Sequence, residues 1–178
     1  MESRITDTFI KQLQLLWSVE SMLMEEIPRI MAKATNMGLQ KTLAYHLAET
    51  DQHKVAIEGI CKMLDINAKG GEPNSELLNI IHEGEKAMLT QVEGNHLDAA
   101  IIFTALVIEQ YEISVYGMAA ETAESLGYTG IAKRLRLTLA EEQQSENKLK
   151  YLESALFQNR ADIGYNENKE SEQGENGR

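Results

Sequence analysis

Two carboxylates, Glu109 and Glu112, stand three residues apart in the run Val107-Ile108-Glu109-Gln110-Tyr111-Glu112-Ile113. That spacing puts both on one face of a helix. The face is otherwise apolar, because Ile102, Ala105, Tyr116, Ala119 and Ala123 continue it in steps of three and four. A carboxylate turned into a core is costly unless a counter-charge or a metal ion compensates it, so this pair asks what else converges on it. Acids and imidazoles interrupt three other apolar stripes. Glu20 is the polar member of the series Phe9, Leu13, Leu16, Glu20, Leu23, Ile27, Ile30, and Glu142 breaks the series Ile131, Leu135, Thr138, Glu142, Ser145, Leu149. His46, Glu49 and His53 share a stripe with Leu39, Ala56, Ile60 and Met63. Glu146 follows Glu142 by four, although the apolar stripe runs through Ser145, which would turn Glu146 about 100° away.

The elements that must carry these residues are helical. The apolar period predicts four long helices over 3–35, 39–64, 95–126 and 129–158, with a shorter one over 74–92. Pro28 is expected to bend the first helix rather than end it, since the stripe continues to Met31. Asn36-Met37-Gly38 reads as a stop with a left-handed cap, Asn95 with Asp98 as a capping-box variant, and Gly127-Tyr128-Thr129-Gly130 as a tight turn. Short turns make the first and second long helices, and then the third and fourth, antiparallel neighbours. The Gly-rich stretch 65–73 and the short helix then form a crossover between two hairpins. The fold class is therefore all-α: a four-helix bundle of two antiparallel hairpins with a crossover helix. The bundle occupies 1–158, and the polar segment 159–178, without an apolar period, is expected to be a disordered tail.

Height along the bundle unites the candidates. Counted from the hairpin turns at about 1.5 Å per residue, Glu20, Glu49, His53, Glu109, Glu112 and Glu142 fall within about one helical turn of a common level. Bundles that hold di-iron or di-manganese centres do so with one Glu from each of two helices and a Glu-plus-His pair from each of the other two. Here the order is Glu20, then Glu49 with His53, then Glu109 with Glu112, then Glu142 with Glu146. Two departures stand out: the paired positions on the second and fourth long helices are four apart rather than three, and the last helix has no histidine. Glu49 and Glu142 are the expected bridging carboxylates, with Glu20, Glu109 or Glu112, and His53 as terminal ligands. His46 lies one turn off level and reads as a hydrogen-bonded core histidine. Trp17, Tyr45, Tyr111 and Tyr116 read as packing residues.

Composition narrows the field. A formal charge of -11 over 178 residues argues against nucleic-acid and anionic-membrane partners, which need a basic footprint. The expectation is a cytoplasmic protein without membrane span or secretory signal. Cys61 is the single cysteine and reads as core filler.

At these residues the chain resembles the YciE/YciF-type ferritin-like stress proteins of bacteria, a branch of the ferritin and rubrerythrin superfamily. The matching segments are Ser18-Val19-Glu20 with Ile27-Pro28, His46-Leu47-Ala48-Glu49-Thr50 with His53, and Asp98-Ala99-Ala100. Glu109-Gln110-Tyr111-Glu112-Ile113 with Tyr116-Gly117, Leu126-Gly127-Tyr128, and Thr138-Leu139-Ala140-Glu141-Glu142 complete the set, which extends over 5–157. The resemblance implies a ferritin-like bundle, a dinuclear metal centre, a link to stress response and a homodimer.

Two functions follow as expectations. One is a di-iron carboxylate protein, manganese being the other candidate metal, that oxidises Fe(II) or reduces peroxide or dioxygen in the manner of a ferroxidase or peroxidase. The other is a non-catalytic helical protein of structural or interaction role, whose inward acids are neutralised by protonation or by His and Arg partners and which holds no functional metal.

Overall fold

The computed structural model describes the backbone over 2–91 and 94–175, and side chains over 7–91 and 94–156. Five helices follow one another: α1 Glu2–Lys33, α2 Met37–Met63, α3 Ser75–Leu89, α4 Asn95–Ser125 and α5 Thr129–Glu175, with a 3-10 turn at Ala68–Gly70. No strand occurs among the described residues. α1 pairs with α2 and α4 with α5. α1 also packs on α4, and α2 on α5, which closes the four-helix bundle, while α3 lies outside against α4. α1 runs through Pro28 without a break. The polar tail expected over 159–178 lies outside the residues whose side chains are described; the backbone of α5 is helical to Glu175.

The core comes in two apolar layers. One gathers Val19, Leu23, Ile27 and Ile30 of α1, Leu39 and Leu43 of α2, Ile101 to Ile108 positions of α4, and Leu149 and Leu156 of α5. The other takes Phe9, Leu13 and Leu16 of α1, Ile57 and Ile60 of α2, Val115 to Ala123 positions of α4, and Ala132 and Leu135 of α5. On α2, α4 and α5 the inward acids and histidines fall between the two sets, and on α1 Glu20 follows directly on Val19, next to the boundary between Leu16 and Val19. Antiparallel packing brings these positions to one level, so the candidate ligands form a polar layer between two dry ones.

Two caps differ from expectation. Asn36 has extended backbone and caps the start of α2 instead of ending α1: its Oδ1 accepts from Gly38 N at 2.8 Å and Leu39 N at 3.0 Å. An Asn side chain satisfies orphan amides at a helix start, which is why the following helix claims it. α4 begins after Gly94, whose φ of 73° suits glycine, and no side chain caps it. Asp98 instead reaches the other hairpin. Its Oδ1 accepts from Thr35 N at 2.7 Å and its Oδ2 from Thr35 Oγ1 at 2.6 Å, so a buried carboxylate ties the α1–α2 turn to the first turn of α4. Tyr45 is exposed rather than packed.

α4 is long and apolar enough to cross a membrane by length and composition alone, and half of its most apolar stretch is buried. It also carries the buried Glu109 and Glu112 toward the other helices, as a central bundle helix does. α3 approaches it closely at Gly84, where an added Cβ would meet Thr104 Cγ2 at 2.3 Å and Oγ1 at 2.7 Å. Gly84→Ala is therefore expected to destabilise the fold by roughly 1–3 kcal/mol despite the better helix propensity of alanine. Urea denaturation checks this, and an unchanged midpoint would mean that the helices separate freely.

Candidate metal centre

Each wall of the polar layer contributes differently. α1 supplies Glu20. α2 supplies His46 and His53, seven residues and so two turns apart on one face. α4 supplies Glu109 and Glu112, and α5 supplies Glu142. All six side chains are buried.

They fall into two abutting groups. His46, Glu109, Glu112 and Glu142 form one, and Glu20, His53 and Glu142 the other, with the potential ligand atoms of each group within 4.8 Å of one another. In the first, His46 Nδ1 is 3.6 Å from Glu109 Oε1 and 3.8 Å from Glu142 Oε2, and its Nε2 is 3.7 Å from Glu112 Oε2. In the second, His53 Nδ1 is 2.8 Å from Glu142 Oε1 and 3.8 Å from Glu20 Oε1. Glu142 thus turns one oxygen toward each imidazole. It is the carboxylate shared by both groups.

The electrostatics are those of anions confined together. Burial raises Glu20 well above the usual carboxylate range, and the neighbouring Glu112 adds to it. Glu109 is raised well above that range by burial, with His46 pulling the other way, and Glu112 is raised by burial and by Glu142. Burial alone would lower His53, but the facing carboxylates of Glu142, Glu20 and Glu141 outweigh it and hold the imidazole above its ordinary value. Tyr116 is pushed up by burial and by Glu20, so its hydroxyl stays protonated and donates to Glu20 Oε1.

Much of the donor set has no hydrogen-bond partner among the described residues: Glu20 Oε2, His46 Nδ1, His53 Nδ1, Glu109 Oε2, and both oxygens of Glu112 and Glu142. Buried polar atoms are normally satisfied, so this many orphans at one place fit a cation-binding cage. The donors suit it. Carboxylates and imidazoles accept iron, manganese or zinc, and four carboxylates with two neutral imidazoles are charge-balanced by two divalent ions.

The layer differs from the expected set at three positions. His46 belongs to it, because two groups stacked along the bundle axis occupy more height than one level, and residues seven apart on α2 converge from above and below. Glu49 stands aside. Its Oε2 accepts from Ser145 Oγ at 3.3 Å, and its Oε1 lies 3.8 Å from Lys148 Nζ, at the outer margin between α2 and α5. Glu146 faces outward as the α5 stripe through buried Ser145 requires, 2.8 Å from Lys150 Nζ and accepting from Gln110 Nε2 at 3.3 Å. Sequence reasoning also missed the Tyr116 hydroxyl bond and Glu141, which meets His53 from outside at 2.9 Å. For His46 the available signal was its spacing of seven residues from His53.

A family model described as a domain of unknown function, DUF892, matches residues 4–162. The chain belongs to the DUF892 family. Within and around it, Protein YciF of Escherichia coli (strain K12) is 32% identical over 146 residues, which cover 82% of this chain and 87% of that protein. The crystal structure of the E. coli stress protein YciF matches with TM-score 0.82 and 29% identity over 86% of this chain and 97% of that one. YcfI from Rhodopseudomonas palustris, whose description proposes a structural role, matches with TM-score 0.78 and 28% identity over 82% and 92% of the respective chains. This DUF892 chain therefore shares an all-helical bundle with the YciF-type proteins.

Proposed function

We propose that the chain is a dinuclear-metal carboxylate protein of bacterial stress response, with two irons as the resident pair and manganese as the alternative, that oxidises Fe(II) or reduces peroxide or dioxygen. The observation that carries this reading is the pair of abutting donor groups joined through Glu142, with orphaned buried oxygens and nitrogens on every side. Glu20, His53 and Glu142 would hold one ion, and His46, Glu109, Glu112 and Glu142 the other. When bound, such a pair supplies two electrons, one per ion, which together with two protons convert a peroxide to two waters.

The chain's own part is to hold, orient and exclude. The apolar layers above and below keep bulk water from the donors, which strengthens every charge interaction between them. The Tyr116 hydroxyl fixes the Glu20 carboxylate through one oxygen and leaves the other facing the group. A stress-related role is suggested by the description of E. coli YciF, and a purely structural one by that of YcfI.

Metal analysis by mass spectrometry on protein purified without an affinity tag separates these roles. Close to two ions per chain is expected, together with Fe(II) oxidation that Glu20→Ala or Glu112→Ala abolishes. A chain that stays metal-free even after anaerobic Fe(II) loading would make the facing acids structural.

A further inference from the structure

We propose that Glu141 is a positioning residue that fixes the tautomer of His53 and thereby chooses which ring nitrogen is offered to the inner donor group; the inference rests on the metal reading above. Glu141 is not one of the converging ligands. Its side chain is 43% exposed, and it approaches His53 from the outside.

The geometry divides the two edges of the His53 ring between consecutive acids of α5. At the outer edge, Nε2 is 2.9 Å from Glu141 Oε2 in hydrogen-bonding geometry. At the inner edge, Nδ1 faces Glu142 Oε1 at 2.8 Å and Glu20 Oε1 at 3.8 Å, yet is not aligned for a hydrogen bond with either. Successive residues on a helix are rotated by about 100°, which is how Glu142 comes to the inside of the ring while Glu141 comes to the outside.

A neutral imidazole has one N–H and one lone pair, and an ionised carboxylate only accepts. With the proton on Nε2, it donates to Glu141 and the Nδ1 lone pair points at the donor group. Either tautomer of the metal-free ring sets one lone pair against a carboxylate, but only Nε2 is aligned to donate, to Glu141, and the opposite tautomer would put an N–H where a cation is to bind. Because Glu141 keeps contact with solvent, its own charge is not desolvated in doing this. Outer carboxylates of this kind orient ligating imidazoles and raise their basicity. His46 has no counterpart, since both of its ring nitrogens face Glu109, Glu112 and Glu142 of the inner group. The effect of Glu141 is therefore confined to one of the two positions.

Long-range proton–nitrogen NMR of the metal-free full chain, labelled with 15N-histidine and held at a pH where the ring is neutral, reads the tautomer directly. Titration with Cd(II) then reads affinity. In the parent protein His53 is expected to carry its proton on Nε2. Glu141→Ala should mix the tautomers and weaken one of two Cd(II) positions by about 10–100-fold. Glu141→Gln, whose amide oxygen still accepts from Nε2, should keep the tautomer and stay within a few fold. A proton on Nδ1 in the parent, or Glu141→Ala that changes neither tautomer nor affinity, overturns the proposal. Should the parent bind no Cd(II) while the tautomer still depends on Glu141, the metal reading falls and the tautomer assignment stands.

Discussion

Stripped of metal by a chelator, the protein is expected to melt at progressively higher temperature as pH is lowered from about 8 to about 5.5, because Glu20, Glu109 and Glu112 are all raised well above their ordinary values. For such acids the folded state holds protons that the unfolded chain, titrating near 4.3, has released. Their stabilising contribution is full below that unfolded value and is lost as pH rises through the folded one. His53, also raised, acts in the same direction. Within that window each group alters stability by up to about 1.4 kcal/mol per pH unit. Loaded with Fe(II) or Mn(II), the protein should behave oppositely, since the ligands must be deprotonated to bind. Two ions held at concentrations about 100–1,000 times their dissociation constants add roughly 5–8 kcal/mol, or about 10–30 °C for a chain of this size. Thermal melts over a pH series, with and without chelator, measure both slopes. Metal-free melting temperatures that instead drop as pH is lowered from about 8 to about 5.5 would show that the buried acids are ionised and paired, and would remove the basis of the reading.

Glu142→Ala is expected to have the largest effect of any single substitution on metal content. Glu142 belongs to both donor groups, so its loss should leave fewer than one tightly held ion per chain where the parent holds about two. Glu146→Ala is the matched control on the same helix. That acid pairs with Lys150 and Gln110 and is held below the usual carboxylate range by Lys150, so its removal should leave the metal content unchanged. Elemental analysis of both variants after identical Fe(II) loading decides the matter. Equal content in the two would mean that Glu142 is not shared. Glu112→Gln offers a further contrast within the same experiment, because removing a fully buried carboxylate should raise the melting temperature of the metal-free protein while lowering its metal content.

The bundle and most of its polar layer are legible in the sequence because period and type act together. A Glu at position 20 in an otherwise aliphatic stripe can face only inward, and the same holds for Glu109, Glu112 and Glu142. His46 was harder to read. Its face was plain, but its height was judged against a single level, whereas two stacked groups need donors two turns apart on α2. Glu49 shows the opposite failure: a position between two inward histidines does not fix where a flexible carboxylate points, and Ser145 with Lys148 draws it outward. Partners far apart in sequence carry no local signal at all. Asp98 has the spacing of a cap, yet its bonds go to Thr35. The meeting of Glu141 with His53, 88 residues earlier, is likewise set only by the packing of α5 on α2.

The Asp98 to Thr35 contact has a dynamic consequence. Thr35 lies outside any helix and its side chain is exposed, a setting in which a backbone amide ordinarily trades its proton with water quickly. Here that amide donates to a carboxylate rooted in the other hairpin, so its exchange is expected to be slower than that of a free turn amide. The turn thus works as a latch, and the lifetime of one amide proton reports on how the two hairpins hold together at this end.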